Sequence, residues 1–69
     1  MIEIALNEKP HIDLCDLLKV AGLCATGGEG KHLVAGGEVK VDGVVELRKR
    51  AKIRSGQLVE FKGQKVKVI

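Results

Sequence analysis

Five cationic side chains fall within seven residues at Arg48, Lys49, Arg50, Lys52 and Arg54, in the run RKRAKIR. Arg offers a planar fork of donors that fits a phosphate bidentately, and Lys adds a mobile point charge. Residues 40–69 hold nine Lys or Arg against Asp42, Glu46 and Glu60, or +6, while residues 1–39 hold three Lys against six acidic groups, or −3. The net charge of +3 hides this division. A local field acts over a Debye length of about 8–10 Å, so the basic half addresses polyanions by itself. Burying an unpaired ion costs several kcal/mol, so these side chains should project outward while Ile53 and Ala51 tether the run to the core. A phosphate-rich partner fits this pattern. A solvated surface without a partner and a nuclear-import type of basic cluster have the same appearance in sequence.

Phe61 is the only aromatic residue, so the chain lacks the stacking platform used by readers of single strands. What remains is recognition of backbone geometry, which suits a folded RNA and gives weak sequence readout. Lys31 and Lys40 extend the candidate RNA-binding set of Arg48, Lys49, Arg50, Lys52 and Arg54. The stretch Gly27-Gly28-Glu29-Gly30-Lys31-His32 departs from a nucleotide-binding GxxxxGK[ST] loop, with Ala25 and His32 at two required positions. A glycine-rich helix start at Thr26, Gly27 and Gly28 nevertheless exposes N–H groups, a candidate phosphate site. His11, Cys15, Cys24 and His32 show no CxxC pair or common zinc spacing, and no Ser/His/Asp or Cys/His grouping stands out. The expectation is a non-catalytic protein with no metal and no cofactor.

The elements that hold these residues follow from periodicity. Ile2-Glu3-Ile4-Ala5-Leu6 alternates as a strand does. Leu14, Leu17, Leu18 and Ala21 form one stripe of a helix from about His11 to Ala21, with Asp13 and Asp16 near its positive end and Gly22 ending it. Thr26 and Glu29 fit a capping box that starts a second helix, with Gly30, Leu33 and Val34 inward and Gly36-Gly37 as its stop. Gly30 has a packing reason if two backbones meet there. Period two returns at Val39 and Val41 with Lys40 opposed, and Asp42-Gly43 suits a type I′ hairpin turn into Val44-Val45. A turn at Ser55-Gly56-Gln57, a strand over Leu58–Lys62, a turn at Gly63-Gln64 and a last strand bearing Val66 and Val68 complete the pattern. This is an α+β fold, two packed helices against a small, mainly antiparallel sheet.

Sixty-nine residues with 45% apolar and 30% charged composition describe one folded domain spanning 1–69. No apolar run of membrane-spanning length and no signal-peptide pattern occurs at MIEIALNEKP, so the expectation is a cytoplasmic protein with no membrane partner. Cys15 and Cys24 read as reduced, buried thiols.

From His11 to about Phe61 the chain resembles the alpha-L RNA-binding domain first known from ribosomal protein S-four, whose two helices and hairpin make an L-shaped RNA-binding face. The resemblance rests on IDLCDLLKVAG at 12–22, on GEVKVDG at 37–43 where the family typically has GxVxVNG, and on IRSGQLV at 53–59. The stretches KPHIDLCDLLK, GEVKVDG and VELRKRAKI are similar to the small stand-alone bacterial YbcJ-like RNA-binding proteins. The resemblance implies a motif core at about 11–61 with strands added at both ends. It also implies a protein without a catalytic domain, associated with the ribosome or with a structured RNA; the expectation is a monomer whose partner is a structured RNA, ribosomal RNA first. Gly27 and Glu38 depart from positions that the wider family makes basic, which shifts the expected binding face towards the hairpin. The alternative is a protein–protein adaptor that turns its basic face to an acidic partner.

Overall fold

Alternating Ile and Val residues bring five short strands from both ends of the chain into one sheet, as described for residues 1–69 by a computed structural model. The elements run β1 (Ile2–Ile4), β2 (Ile12–Asp13), α1 (Leu14–Val20), α2 (Gly27–Ala35), β3 (Val39–Val41), β4 (Val44–Val45), β5 (Lys52–Ile53), β6 (Leu58–Phe61) and β7 (Gln64–Val68). Five strands form a sheet in the order β1-β7-β6-β3-β4, and β2 pairs with β5 in a separate ribbon. All pairings are antiparallel except β1 with β7. This is the expected α+β architecture.

Strand alternation sends Val39, Val59, Phe61, Val66 and Val68 to one face, where they are buried with Leu14, Leu17 and Leu18 of α1 and Val34 of α2. The opposite face is charged: Lys40 stands across from Glu60, and Glu60 across from Lys65, in one row. Leu58, Lys67 and Glu3 make the next row. Cys15 and Cys24 are free and buried.

Both helices end at left-handed glycines, Gly22 at φ 79° and Gly37 at φ 75°. Thr26 Oγ1 accepts from the Glu29 amide at 3.1 Å, one half of the expected capping box, and the reciprocal bond is not made. Gly30 is where the helices touch. A Cβ built there would lie 2.8 Å from the Cys15 carbonyl oxygen and 3.3 Å from Cys24 Sγ.

Three boundaries differ from the expected ones. β1 ends at Ile4 and not at Leu6. α1 begins at Leu14 and not at His11, because Ile12 and Asp13 are extended and pair with Ile53 and Lys52. The hairpin joining β6 and β7 turns at Lys62-Gly63 and not at Gly63-Gln64, with φ 48° and 78° at its two central residues. That is the type I′ geometry which matches strand twist, also adopted by Asp42-Gly43 at φ 51° and 83°.

Candidate nucleic-acid interface

The basic run is held by its own backbone. Ala51 and Ile53 are buried, and the carbonyls of Ala51 and Lys49 accept from the amides of Leu14 at 2.9 Å and Cys15 at 3.0 Å. A helix start leaves its first N–H groups without intrahelical partners, and here the basic segment supplies acceptors for two of them. The sequence anticipated the apolar tether and missed these bonds, because nothing local signals a cap contributed from so far along the chain.

On either side of the buried anchors, and at Lys52 between them, the charged side chains emerge. Arg48, Arg50, Lys52 and Arg54 are exposed and, with Ala51, line one open groove of about 410 Å³. Lys49 is exposed but is not part of the lining. Lys40 lies on the charged face of the sheet opposite Glu60, and Lys31 is half-buried on α2. The structure thus gathers four of the seven candidate cations around one groove and distributes Lys31, Lys40 and Lys49 over other surfaces.

Two acidic residues that the charge count treats as background organise this edge. Glu46 Oε2 accepts from the Arg48 amide at 3.0 Å and from Nε at 3.1 Å, and Oε1 accepts from Nη2 at 2.9 Å. The Arg48 side chain and amide hold the Glu46 carboxyl at about 2, below its ordinary 4.5. An alternation signal existed, since residues i and i+2 of an extended segment share a side. Asp42, at the tip of the β3–β4 hairpin, accepts from the Leu58 amide at 3.0 Å and from Gln57 Nε2 at 3.1 Å. These donors, the Leu58 amide first, lower its carboxyl below the usual range. Gln57 Oε1 in turn accepts from the Arg54 amide at 2.8 Å, so the hairpin tip, the turn and a groove cation form one chain of bonds. Lys67 Nζ closes the same turn on the Gly56 carbonyl at 2.9 Å.

The start of α2 is a poorer anion site than its glycines suggest. The Asp16 carboxylate approaches Gly27, with Oδ1 3.9 Å from where a Cβ would stand, and Glu29 lies in the same first turn. Both carboxylates already complement the helix dipole and oppose a phosphate beside Thr26, Gly27 and Gly28. Burial, with help from Glu29, pushes the nearby Cys24 thiol up and keeps it neutral.

Comparison with known proteins agrees with this architecture. The profile of the S4 domain matches residues 4–69. The Escherichia coli K12 protein named "Putative RNA-binding protein YbcJ" is 49% identical over 69 residues, covering 100% of this chain and 99% of that one. A Shigella flexneri protein, named as uncharacterized protein YbcJ, matches with the same 49% identity and coverage. The solution structure of E. coli YbcJ, described as revealing an alpha-L motif involved in RNA-binding, covers 100% of this chain and 87% of its own with a TM-score of 0.78. With its whole length matched in sequence and in fold, the chain belongs to the S4-domain family.

Proposed function

We propose that this chain is a non-catalytic RNA-binding protein that holds phosphates of a folded RNA, ribosomal RNA being the partner, in the groove lined by Arg48, Arg50, Lys52 and Arg54. The observation that carries the proposal is this convergence of four exposed cations on a backbone-anchored segment. Like charges repel, and holding them together by hydrogen bonds to α1 makes sense when an anion compensates them. The RNA-binding names of the similar proteins support the same reading. Lys40, Lys49 and Lys31 contribute longer-range attraction, and Thr26, Gly27 and Gly28 contribute little.

Filter binding to a ribosomal RNA hairpin between 50 and 200 mM salt tests the proposal. If each of the four groove cations meets one phosphate, the slope of log K against log salt is about −3.6. A slope near zero overturns the reading, and so does retention of the protein in large lysate complexes after nuclease treatment, which points to an acidic protein partner.

A further inference from the structure

Glu46 is the only acidic side chain between Val44 and Arg54, in the stretch where a polyanion-binding surface has most reason to exclude negative charge. Yet it is firmly placed. Its own amide donates to the Val39 carbonyl of β3 at 3.0 Å, and its carboxylate, with a side chain only 19% exposed, accepts three bonds from Arg48. The Arg48 side chain is 80% exposed.

These contacts use one edge of the guanidinium, the edge formed by Nε and one N–H of Nη2. The planar group carries five N–H donors, so both hydrogens of Nη1 and the second of Nη2 remain, and they form the outer fork that fits a phosphate bidentately. An unrestrained Arg must give up rotamer freedom on binding, and a restrained one has already done so.

Resting on the RNA-binding reading above, we propose that Glu46 is a positioning residue: it fixes the Arg48 guanidinium so that its outer Nη1/Nη2 fork is presented to a phosphate of RNA seated in the groove. The guanidinium of this pair lies largely in water, where an ion pair adds little net stability, so the pair has a weak structural purpose of its own. If Glu46 merely neutralised Arg48, removing its charge would strengthen binding to a polyanion. Positioning gives the opposite sign.

The test is a double-mutant cycle on the same RNA hairpin at 100 mM salt, with E46A, E46Q, R48A, R48K and the pairwise combinations, each checked by thermal melting. E46A is expected to weaken binding by about tenfold or more, the loss of roughly one charge-assisted bond. The salt slope should become shallower by about 0.9, one phosphate contact. E46A combined with R48A should be no weaker than R48A alone. In the R48K background, where no fork exists to be oriented, E46A should leave affinity unchanged or raise it. A purely structural role would give the same loss in both backgrounds and overturns the proposal. E46Q keeps the side-chain shape and carries the test should E46A lower Tm.

Wild-type binding with a slope near −3.6, accompanied by unchanged or tighter binding of E46A and E46Q, overturns the positioning role and leaves the RNA-binding reading intact. Absence of salt-dependent binding by the wild type overturns both.

Discussion

The amide of Cys15 donates to the carbonyl of Lys49 at 3.0 Å, so the most basic segment of the chain closes the start of its first helix. The neighbouring bond from Leu14 to Ala51 repeats the arrangement at 2.9 Å. Side chains at 48, 50, 52 and 54 therefore emerge from a segment whose backbone is bonded to the helix it caps and to the strand before it.

Position should matter more than charge. Lys49→Glu and Arg50→Glu change the net charge equally, but only Arg50 lines the groove. Arg50→Glu is expected to lower RNA affinity about tenfold or more, as for a lost charge-assisted bond, and Lys49→Glu distinctly less. Both should melt within about 4 °C of the wild type, since exposed substitutions usually change stability by no more than about 0.5 kcal/mol. Equal losses of affinity would mean that bulk charge, and not the groove, does the binding.

Gln57 bridges Asp42 and the Arg54 amide without bearing a charge itself. Gln57→Ala should speed amide hydrogen exchange at Arg54. It should also weaken RNA binding by up to about fivefold, the worth of one ordinary hydrogen bond. Unaltered exchange at Arg54 would show that the bridge does not hold the turn.

Two glycines of α2 should respond in opposite directions to Ala. At Gly30 a methyl group meets the Cys15 carbonyl and the Cys24 sulfur, so Gly30→Ala should destabilise by about 1–3 kcal/mol despite the better helix propensity. At Gly28 the nearest atom is Thr26 Oγ1 at 3.8 Å, an ordinary contact, and Gly28→Ala should stabilise by up to about 1 kcal/mol. Thermal melting of both variants decides the point, and a stabilised Gly30→Ala would contradict the close approach of the helices.

Acid titration should reveal the Glu46–Arg48 pair. A carboxyl lowered in the folded state contributes stability that is complete above its ordinary value, here 4.5, and is lost as pH falls towards its folded value, here about 2. Carboxyl-carbon NMR at low salt should place the Glu46 midpoint near 2, returning towards 4.5 in Arg48→Ala. Between pH 5 and 8 the pair should be unaffected, and RNA binding should not depend on it through pH. A wild-type midpoint near 4.5 would show that the pair is not maintained in solution.

Local chemistry made much of the fold legible. The Leu14, Leu17, Leu18 stripe, Thr26 as a cap, Gly22 and Gly37 as stops and Asp42-Gly43 as a turn all depend on neighbours in sequence, and all are found in place. What escaped depends on partners far away. Ile12 and Asp13 continue a helical pattern by composition, but pairing with Ile53 and Lys52 makes them extended. Lys62 rarely signals a left-handed turn residue, so the β6–β7 turn was displaced by one position. At the candidate site the clustering of charge was plain from composition. The division into groove and non-groove cations, and the roles of Glu46 and Gln57, require the tertiary arrangement.

The strand order β1-β7-β6 carries a consequence for how the protein comes to be. β1 pairs only with β7, which follows every other element along the chain. A nascent chain that has passed β6 holds both helices and most of its apolar residues, but β1 has no neighbour and β6 presents an open edge. Closure of the sheet must await β7. The β1–β7 pairing joins residues 64 positions apart in sequence, the kind of contact that slows folding most.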